Sequence, residues 1–267
     1  MTAGKVTIER SGRVALVRLN DEEARNALST DLIHELISIV KEADADAGLS
    51  CLVLTGAGKA FCAGGNIKDM HEGDDPMFGG SPHEMADGYR HNIQQMTKCF
   101  LGIDLPVIAA VNGPAIGAGN DLATMCDIRI ASTKAKFAES FLRVGLVPGD
   151  GGAWLLPRIV GLPRALEMAL TCRILDAEQA KEWGLVTHIV EPDQLEATAL
   201  AMAETIASFP PVSVRLNKRL MYKSINMGID ECLELSAAYQ ALVQNTLDQK
   251  EAVAAAVEKR EPKYVGR

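Results

Sequence analysis

The 267-residue sequence has few aromatic residues (4%), no long apolar run and no pair of cysteines spaced C-x-x-C. No stretch approaches the ~18 uninterrupted apolar residues that a membrane-spanning helix needs. The first ten residues, MTAGKVTIER, lack the charged-then-apolar layout of a signal peptide. Six scattered cysteines indicate neither a zinc knuckle nor a thioredoxin motif, and reduced, buried thiols are the favoured interpretation. We therefore expect a soluble cytoplasmic protein without a membrane partner or a metal.

The charge balance excludes a further class of partner. Acidic residues number 35 and basic residues 27, which gives a formal charge of −8. Because there is also no Lys/Arg run, the sequence lacks the electrostatic footprint of a nucleic-acid-binding protein. The composition of 48% hydrophobic and 23% charged residues is ordinary for a globular chain and excludes a disordered or collagen-like one.

The first half of the chain alternates strand and helix patterns. Residues 13–19 and 50–55 predict β-strands, and residues 29–43 between them predict a helix capped by Ser29 or Thr30. This order is typical of a βαβ unit in an α/β fold. A glycine-, proline- and acid-rich segment at 72–88 predicts a long loop. Further predicted elements are a helix at 88–103, a strand at 107–111, a short helix ending near Cys126, and strands at 127–131 and 136–138.

The second half is predicted to be mostly helical. The patterns place helices at 151–158, 163–171, 176–183, 192–208, 211–226, 229–245 and 248–260. Prolines at 163, 192 and 211 fit the first turn of a helix. We expect residues 1–200 to form the α/β core and residues 201–267 to form a helical C-terminal region.

Two glycine-rich turns each follow an apolar strand, at residues 61–66 (FCAGGN) and 117–121 (GAGND). Small residues let a ligand approach the backbone closely. Two amides that converge on one point form an oxyanion hole. The alternative interpretation is that the glycines only permit tight turns. Neither turn has dinucleotide-binding or P-loop spacing.

Taken together, these turns and their flanking segments resemble the crotonase superfamily, or enoyl-CoA hydratase/isomerase family. The resemblance covers nearly the whole chain. It rests on residues 24–29 (ARNALS), 52–56 (LVLTG), 59–68 (KAFCAGGNIK), 106–119 (PVIAAVNGPAIGAG), 126–129 (CDIR), 145–149 (GLVPG) and 180–186 (AKEWGLV).

The resemblance implies a fold, an assembly and a substrate class. Family members fold as a spiral of ββα turns with a C-terminal helical region that packs trimers and often dimers of trimers. They act on acyl-CoA thioesters, so CoA enters with the substrate and no separate cofactor is implied. The thioester oxygen is held by two backbone amides, which map to Gly65 and Ala118. Positions implied at the thioester or at CoA are Ala27, Lys59, Ala63, Gly64, Gly65, Asn66, Ile67, Lys68, Ala118, Phe141 and Lys259.

One departure from the family pattern concerns the acid-base groups. Hydratases of this family commonly use two glutamates, which map to Asp121 and Phe141. Asp121 keeps a carboxylate and is the candidate general acid/base, whereas Phe141 cannot transfer a proton. Two further acids are candidates for the missing group, Glu139 and Asp150. The alternative role for Asp150 is a helix N-cap. Gly149 matches the glycine beside the water in hydratases.

These residues predict chemistry at the α and β carbons through a stabilised enolate. Proton transfer or double-bond isomerisation is slightly favoured over hydration because of Phe141. The alternatives are an acyl-CoA hydrolase or decarboxylase, and a catalytically degenerate acyl-CoA-binding subunit. Methionines near the predicted loop could line a flexible acyl pocket, whereas solvent exposure is favoured for His71, His83 and His91.

Overall fold

The computed structural model describes residues 4–267 as an α/β fold with nine strands and twelve helices within that range. The strands are β1 (Val6–Ser11), β2 (Val14–Leu19), β3 (Cys51–Gly56), β4 (Val107–Val111), β5 (Pro114–Ile116), β6 (Ile128–Ser132), β7 (Lys136–Ala138), β8 (Leu175–Asp176) and β9 (His188–Val190). The helices are α1 (Thr30–Ala45), α2 (Ile67–Glu72), α3 (Pro82–His91), α4 (Ile93–Gly102), α5 (Ala118–Met125), α6 (Gly152–Val160), α7 (Leu162–Thr171), α8 (Ala177–Glu182), α9 (Leu195–Ala207), α10 (Pro211–Ser224), α11 (Ile229–Gln244) and α12 (Leu247–Glu258).

A six-stranded mixed sheet forms the centre, in the order β1-β2-β3-β4-β6-β9. β1 pairs antiparallel with β2, and the other neighbours are parallel. The parallel pairing of β2 with β3 around α1 confirms the predicted βαβ unit. A second sheet, in the order β5-β7-β8, carries the segments next to the glycine-rich turn at 117–121.

Helix α1 shows why the sequence pattern succeeds. The Ser29 hydroxyl accepts a hydrogen bond from the Leu32 amide at 3.4 Å, which caps the helix as predicted. The apolar face at i, i+3, i+4 spacing is buried throughout: Leu32, Ile33, Leu36, Ile37 and Val40. Burying each such side chain contributes about 1.5–3 kcal/mol relative to exposure, so this face anchors the helix on the sheet.

Helix α9 covers the opposite face of the sheet. Leu195, Ala199 and Ala203 of this helix are fully or almost fully buried and pack in one cluster with Val53 and Ile108 of the central strands. The expected boundary at residue 200 therefore falls inside a helix that belongs to the core. The more exposed helices begin with α10.

The predicted long loop at 72–88 is only partly correct, because α3 begins inside it at Pro82. Ser81 and Glu84 form a reciprocal capping box, which starts a helix among residues that otherwise favour turns. The predicted helix at 88–103 is two helices separated at Asn92. Strands β1, β5, β8 and β9 were not predicted, since they are short or largely polar. Within residues 4–267, no helix is both long and apolar enough to cross a bilayer.

Candidate active site

The two glycine-rich turns contact each other, as the oxyanion-hole hypothesis requires. The Ile116 amide donates a hydrogen bond to the Cys62 carbonyl at 3.1 Å. Gly64 has a φ of 94°, and a methyl group there would overlap with the Ile116 carbonyl and lie 3.6 Å from the Ala118 nitrogen. Glycine is therefore required at residue 64 both by its conformation and by the close approach of the second turn.

Gly65 and Ala118 each present a free backbone amide at this junction. Neither amide donates a hydrogen bond to another atom of residues 4–267. Ala118 is the first residue of α5, where amides have no partner within the helix. The positive φ of 54° is taken by Gly117, so Ala118 keeps an ordinary backbone conformation. Alanine can therefore present this backbone amide without strain.

A mostly apolar cavity of about 200 Å³ opens beside these amides. Tyr89 and Phe78 meet edge to face in its wall, with ring centroids 6.3 Å apart. Met70 and Met77 line the cavity as expected, whereas Met96 is in the core. The three histidines at 71, 83 and 91 are exposed and lie outside the cavity wall. The main lining residues are Leu28, Ala63, Gly64, Gly65, Ile67, Met70, Met77, Phe78, Tyr89, Ile93, Ile116, Gly117, Ala118, Ser140, Phe141, Arg143, Val144, Leu146, Gly149 and Asp150.

Three carboxyl groups cluster at the inner end of the cavity. Asp150 belongs to the cavity wall, whereas Asp121 and Glu139 do not. All three residues are at most 1% exposed. Both side-chain oxygens of Asp121 and of Asp150 lack a hydrogen-bond donor among residues 4–267. Of these three residues, Asp150 alone contributes to the cavity wall, and its carboxyl oxygens are buried like those of Asp121.

The chain around Asp150 is held in place by α4. The Thr97 hydroxyl donates a hydrogen bond to the Asp150 carbonyl, and the Gln94 side chain donates one to the Gly149 carbonyl at 2.9 Å. Gly152 gives room to the neighbouring acid, because a methyl group there would overlap with the Asp121 carboxylate. The alternative role of Asp150 as a helix cap is wrong, since Gly151 occupies the N-cap of α6.

Burial raises the pKa of all three carboxyl groups. Loss of hydration raises the pKa of Asp121 well above its ordinary value, and the charges of Asp150 and Glu139 add to the rise. Burial raises the pKa of Glu139 to about 7 and also raises that of Asp150. Carboxyl groups in such surroundings can hold and release protons near neutral pH.

Glu139 and Phe141 do not share a strand face. Strand β7 ends at Ala138, and Phe141 begins a short 3-10 turn, so the alternation of side chains stops between them. Phe141 is half-buried in the cavity wall, whereas Glu139 is buried outside that wall and accepts a hydrogen bond from the Asn120 side chain at 3.1 Å. Glu139 therefore does not replace the family's second glutamate in space.

A second depression adjoins the Gly65 turn, with Ala27, Ala63, Asn66 and Lys68 in its wall. The Asn66 side chain accepts a hydrogen bond from the Lys68 amide at 3.0 Å and caps α2, which agrees with its expected contact with the turn. Lys59 is exposed and is not part of the wall of this depression. Lys259 is the C-cap residue of α12 and is not part of that wall either. The structure thus brings together part of the set implied at CoA.

Four residues of the site were missed by the sequence reasoning: Tyr89, Gln94, Thr97 and Asn120. Asn120 precedes Asp121 in the chain, and this adjacency was an available signal. Tyr89, Gln94 and Thr97 lie on α3 and α4, whose helical pattern indicates burial but not which loop they contact. Only the packing of these helices against residues 149–151 reveals their place.

The chain is similar to known proteins along nearly its whole length. Residues 9–267 match the enoyl-CoA hydratase/isomerase family. A probable enoyl-CoA hydratase of Rhizobium meliloti is 38% identical over 264 residues, 99% of each chain. The 1,2-epoxyphenylacetyl-CoA isomerase of Escherichia coli is 36% identical over 254 residues, 95% of each chain.

A solved structure shows the same fold. The crystal structure of enoyl-CoA hydratase from Bacillus anthracis superposes with a TM-score of 0.91 at 34% identity, over 98% of this chain and 100% of that one. The chain therefore belongs to the enoyl-CoA hydratase/isomerase family of lyases and isomerases.

Proposed function

We propose that this enzyme moves a proton along the acyl chain of an enoyl-CoA thioester, with double-bond isomerisation favoured over simple hydration. The observation that carries the proposal is one acidic residue, Asp150, in the wall of an apolar cavity that also contains Gly65 and Ala118 with their free amides. The CoA portion would lie in the adjoining depression beside Ala27 and Lys68.

The amides of Gly65 and Ala118 would hold the thioester oxygen. When a proton leaves the α-carbon, negative charge develops on that oxygen. Two fixed N–H donors stabilise this charge without reorganising, which lowers the barrier to enolate formation. The apolar surroundings strengthen these hydrogen bonds because little water competes for the oxygen.

Asp150 would move the proton. Its carboxylate takes a proton from the α-carbon of a β,γ-unsaturated thioester, and the C–H electron pair forms the dienolate. Asp150 then returns the proton to the γ-carbon, the double bond becomes α,β, and the oxygen regains its carbonyl bond. Proton and electrons balance without a further reactant. Asp121, buried behind Asp150, would position it rather than meet the substrate.

Hydration is the second candidate, supported by relatives named as enoyl-CoA hydratases. Water addition needs a held water and usually a second acid-base group. Phe141 stands at the position of the second glutamate, and Glu139 is enclosed outside the cavity wall. A relative named as an isomerase of a CoA thioester supports the first candidate.

The test is incubation of the enzyme with crotonyl-CoA and with a β,γ-unsaturated acyl-CoA of similar length in deuterated water. We expect the β,γ isomer to become the α,β isomer at enzymatic turnover, with little water added to crotonyl-CoA. Mass spectrometry and ultraviolet absorbance distinguish these products. Rapid addition of water to crotonyl-CoA would establish hydration instead. Release of free CoA would indicate a hydrolase, and release of carbon dioxide would indicate a decarboxylase. Binding of the thioester without turnover would indicate a degenerate acyl-CoA-binding subunit.

A homotrimer or a dimer of trimers is the proposed assembly. Support comes from large apolar side chains left exposed on the last two helices: Ile229, Leu233, Leu242, Val253 and Val257. Burial of such a surface against other copies would be favourable. Light scattering is expected to measure a mass of three or six chains, and a monomer would contradict the proposal.

A cytoplasmic location is also proposed, supported by six cysteines without disulfides.

A further inference from the structure

We propose that Glu139 is a positioning residue that stays protonated and, through Asp121, keeps Asp150 oriented as the base of the reaction. The inference rests on the proposed function of Asp150. It concerns a side chain that is enclosed outside the cavity and cannot meet the substrate itself.

The first argument is a count of hydrogen-bond donors. The three carboxyl groups have six oxygens, and the side chain of Asn120 donates to one of them, on Glu139. The other five oxygens have no donor among residues 4–267. Buried ionised oxygens without donors are strongly unfavourable, whereas a protonated carboxyl group supplies its own O–H donor. The cluster must therefore retain protons.

The second argument is the order in which the three carboxyl groups interact, from Glu139 through Asp121 to Asp150. Asp121 lies within hydrogen-bonding reach of both Glu139 and Asp150, and it is confined on another side by Gly152. A protonated Glu139 can accept from Asn120 with one oxygen and donate to Asp121 with the other. Asp121 can then donate its own proton to Asp150. Two protons satisfy the chain and leave one negative charge, on the group that lines the cavity.

The other titratable groups near the cluster do not supply a counter-charge. Asp150 interacts with Cys62 and Tyr89, and burial raises the pKa of both, to about 12 for Cys62. Both groups are neutral at neutral pH. Arg143 also lines the cavity, but its guanidinium donates to the Cys172 carbonyl and does not donate to Asp121, Glu139 or Asp150. With no cation paired to the three carboxyl groups among residues 4–267, proton sharing stabilises the cluster.

The direction of the pH effect follows from this chain. Burial raises the pKa of Glu139 to about 7. Above that pH Glu139 is ionised and can only accept a hydrogen bond. Asp121 then donates its proton to Glu139 and no longer donates a hydrogen bond to Asp150. The base then loses its orienting contact, and the rate falls as the pH rises. The free energy of unfolding changes in the same direction. Because the pKa of Glu139 in the folded state exceeds its ordinary value of 4.5, the folded state loses stability as the pH rises from about 4.5 to 7.

The test compares Glu139→Gln with Glu139→Leu. Glutamine mimics the protonated acid, because its oxygen can accept from Asn120 while its amide donates to Asp121. For the wild type we expect kcat/KM for isomerisation to fall about tenfold per pH unit above the ionisation of Glu139. The Glu139→Gln enzyme should keep near-normal activity at about pH 6 and show no such fall up to about pH 9. Glu139→Leu, which has no donor, should be slow throughout this range.

A measurement without substrate separates this inference from the proposed function. Infrared spectra in light and heavy water at about pH 6 should show protonated carboxyl absorption that is weaker in Glu139→Gln than in the wild type, because the variant loses one of the two protonated carboxyl groups and Asp121 keeps the other. An identical band in both proteins would overturn the proton assignment whatever the reaction is. A matching alkaline fall in kcat/KM for the wild type and Glu139→Gln would overturn the positioning role, as would full activity of Glu139→Leu.

Discussion

Replacing Asp150 by asparagine is expected to lower kcat for isomerisation by about a thousandfold, within the range of about a hundredfold to ten-thousandfold that general acid-base groups contribute. Asparagine has nearly the same shape but cannot accept the substrate proton at neutral pH. KM should change by only a few fold, roughly the effect of losing one contact, because the Gly65 and Ala118 amides remain. Steady-state kinetics on the β,γ-unsaturated thioester measures both constants.

The matched control is Asp248→Asn, at an equally buried carboxylate far from the cavity. Asp248 accepts hydrogen bonds from the amides of Val265 at 2.6 Å and Gly266 at 2.8 Å. Its replacement tests whether loss of any buried carboxylate lowers the rate, and kcat should stay at the wild-type value. A kcat for Asp150→Asn within about tenfold of the wild type would contradict the role of Asp150 as the base.

Ala118→Pro is expected to lower kcat by a hundredfold to a thousandfold, about 2.7–4 kcal/mol, because proline removes one oxyanion donor. Residue 118 is the first position of α5, where the missing N–H breaks no helical hydrogen bond and the φ of proline is acceptable. The substitution therefore removes the amide with little direct damage to the helix. Kinetics and circular dichroism together measure the effect.

Ala118→Gly is the matched control, since it shortens the same side chain but keeps the N–H. Gly117 takes the positive φ before it, so residue 118 needs no unusual conformation. We expect kcat within about threefold of the wild type, as for a substitution that keeps the transition-state contact. If the glycine variant were as slow as the proline variant, the side chain rather than the amide would matter.

Motif spacing alone predicts much of the site. The turns at 61–66 and 117–121 were paired on sequence grounds, and the structure joins them through Cys62 and Ile116. The pattern succeeded because backbone amides at glycine-rich turns depend on local conformation. Asp121, Glu139 and Asp150 are also candidates from the sequence, because the family resemblance places a carboxylate at Asp121 and calls for a substitute for the glutamate missing at Phe141.

Local patterns do not predict which of these three acidic residues lines the cavity. Asp121 was favoured as the acid/base because it follows the amide turn, yet it is enclosed and Asp150 lines the cavity. Which carboxyl group reaches the cavity depends on how residues 149–151 pack against Gln94 and Thr97 of α4. These contacts join residues more than fifty positions apart, which local patterns do not specify.

By itself, the sequence determined the family, the βαβ core, the paired amides and the absence of a second glutamate at Phe141. These features depend on short-range spacing, on hydrophobic period and on residue identity. Only the tertiary structure decided that Glu139 contacts Asn120 and does not line the cavity, and that three carboxyl groups share one buried space. The physical reason is that burial and electrostatic coupling arise between distant segments, and they exist only when the chain has packed.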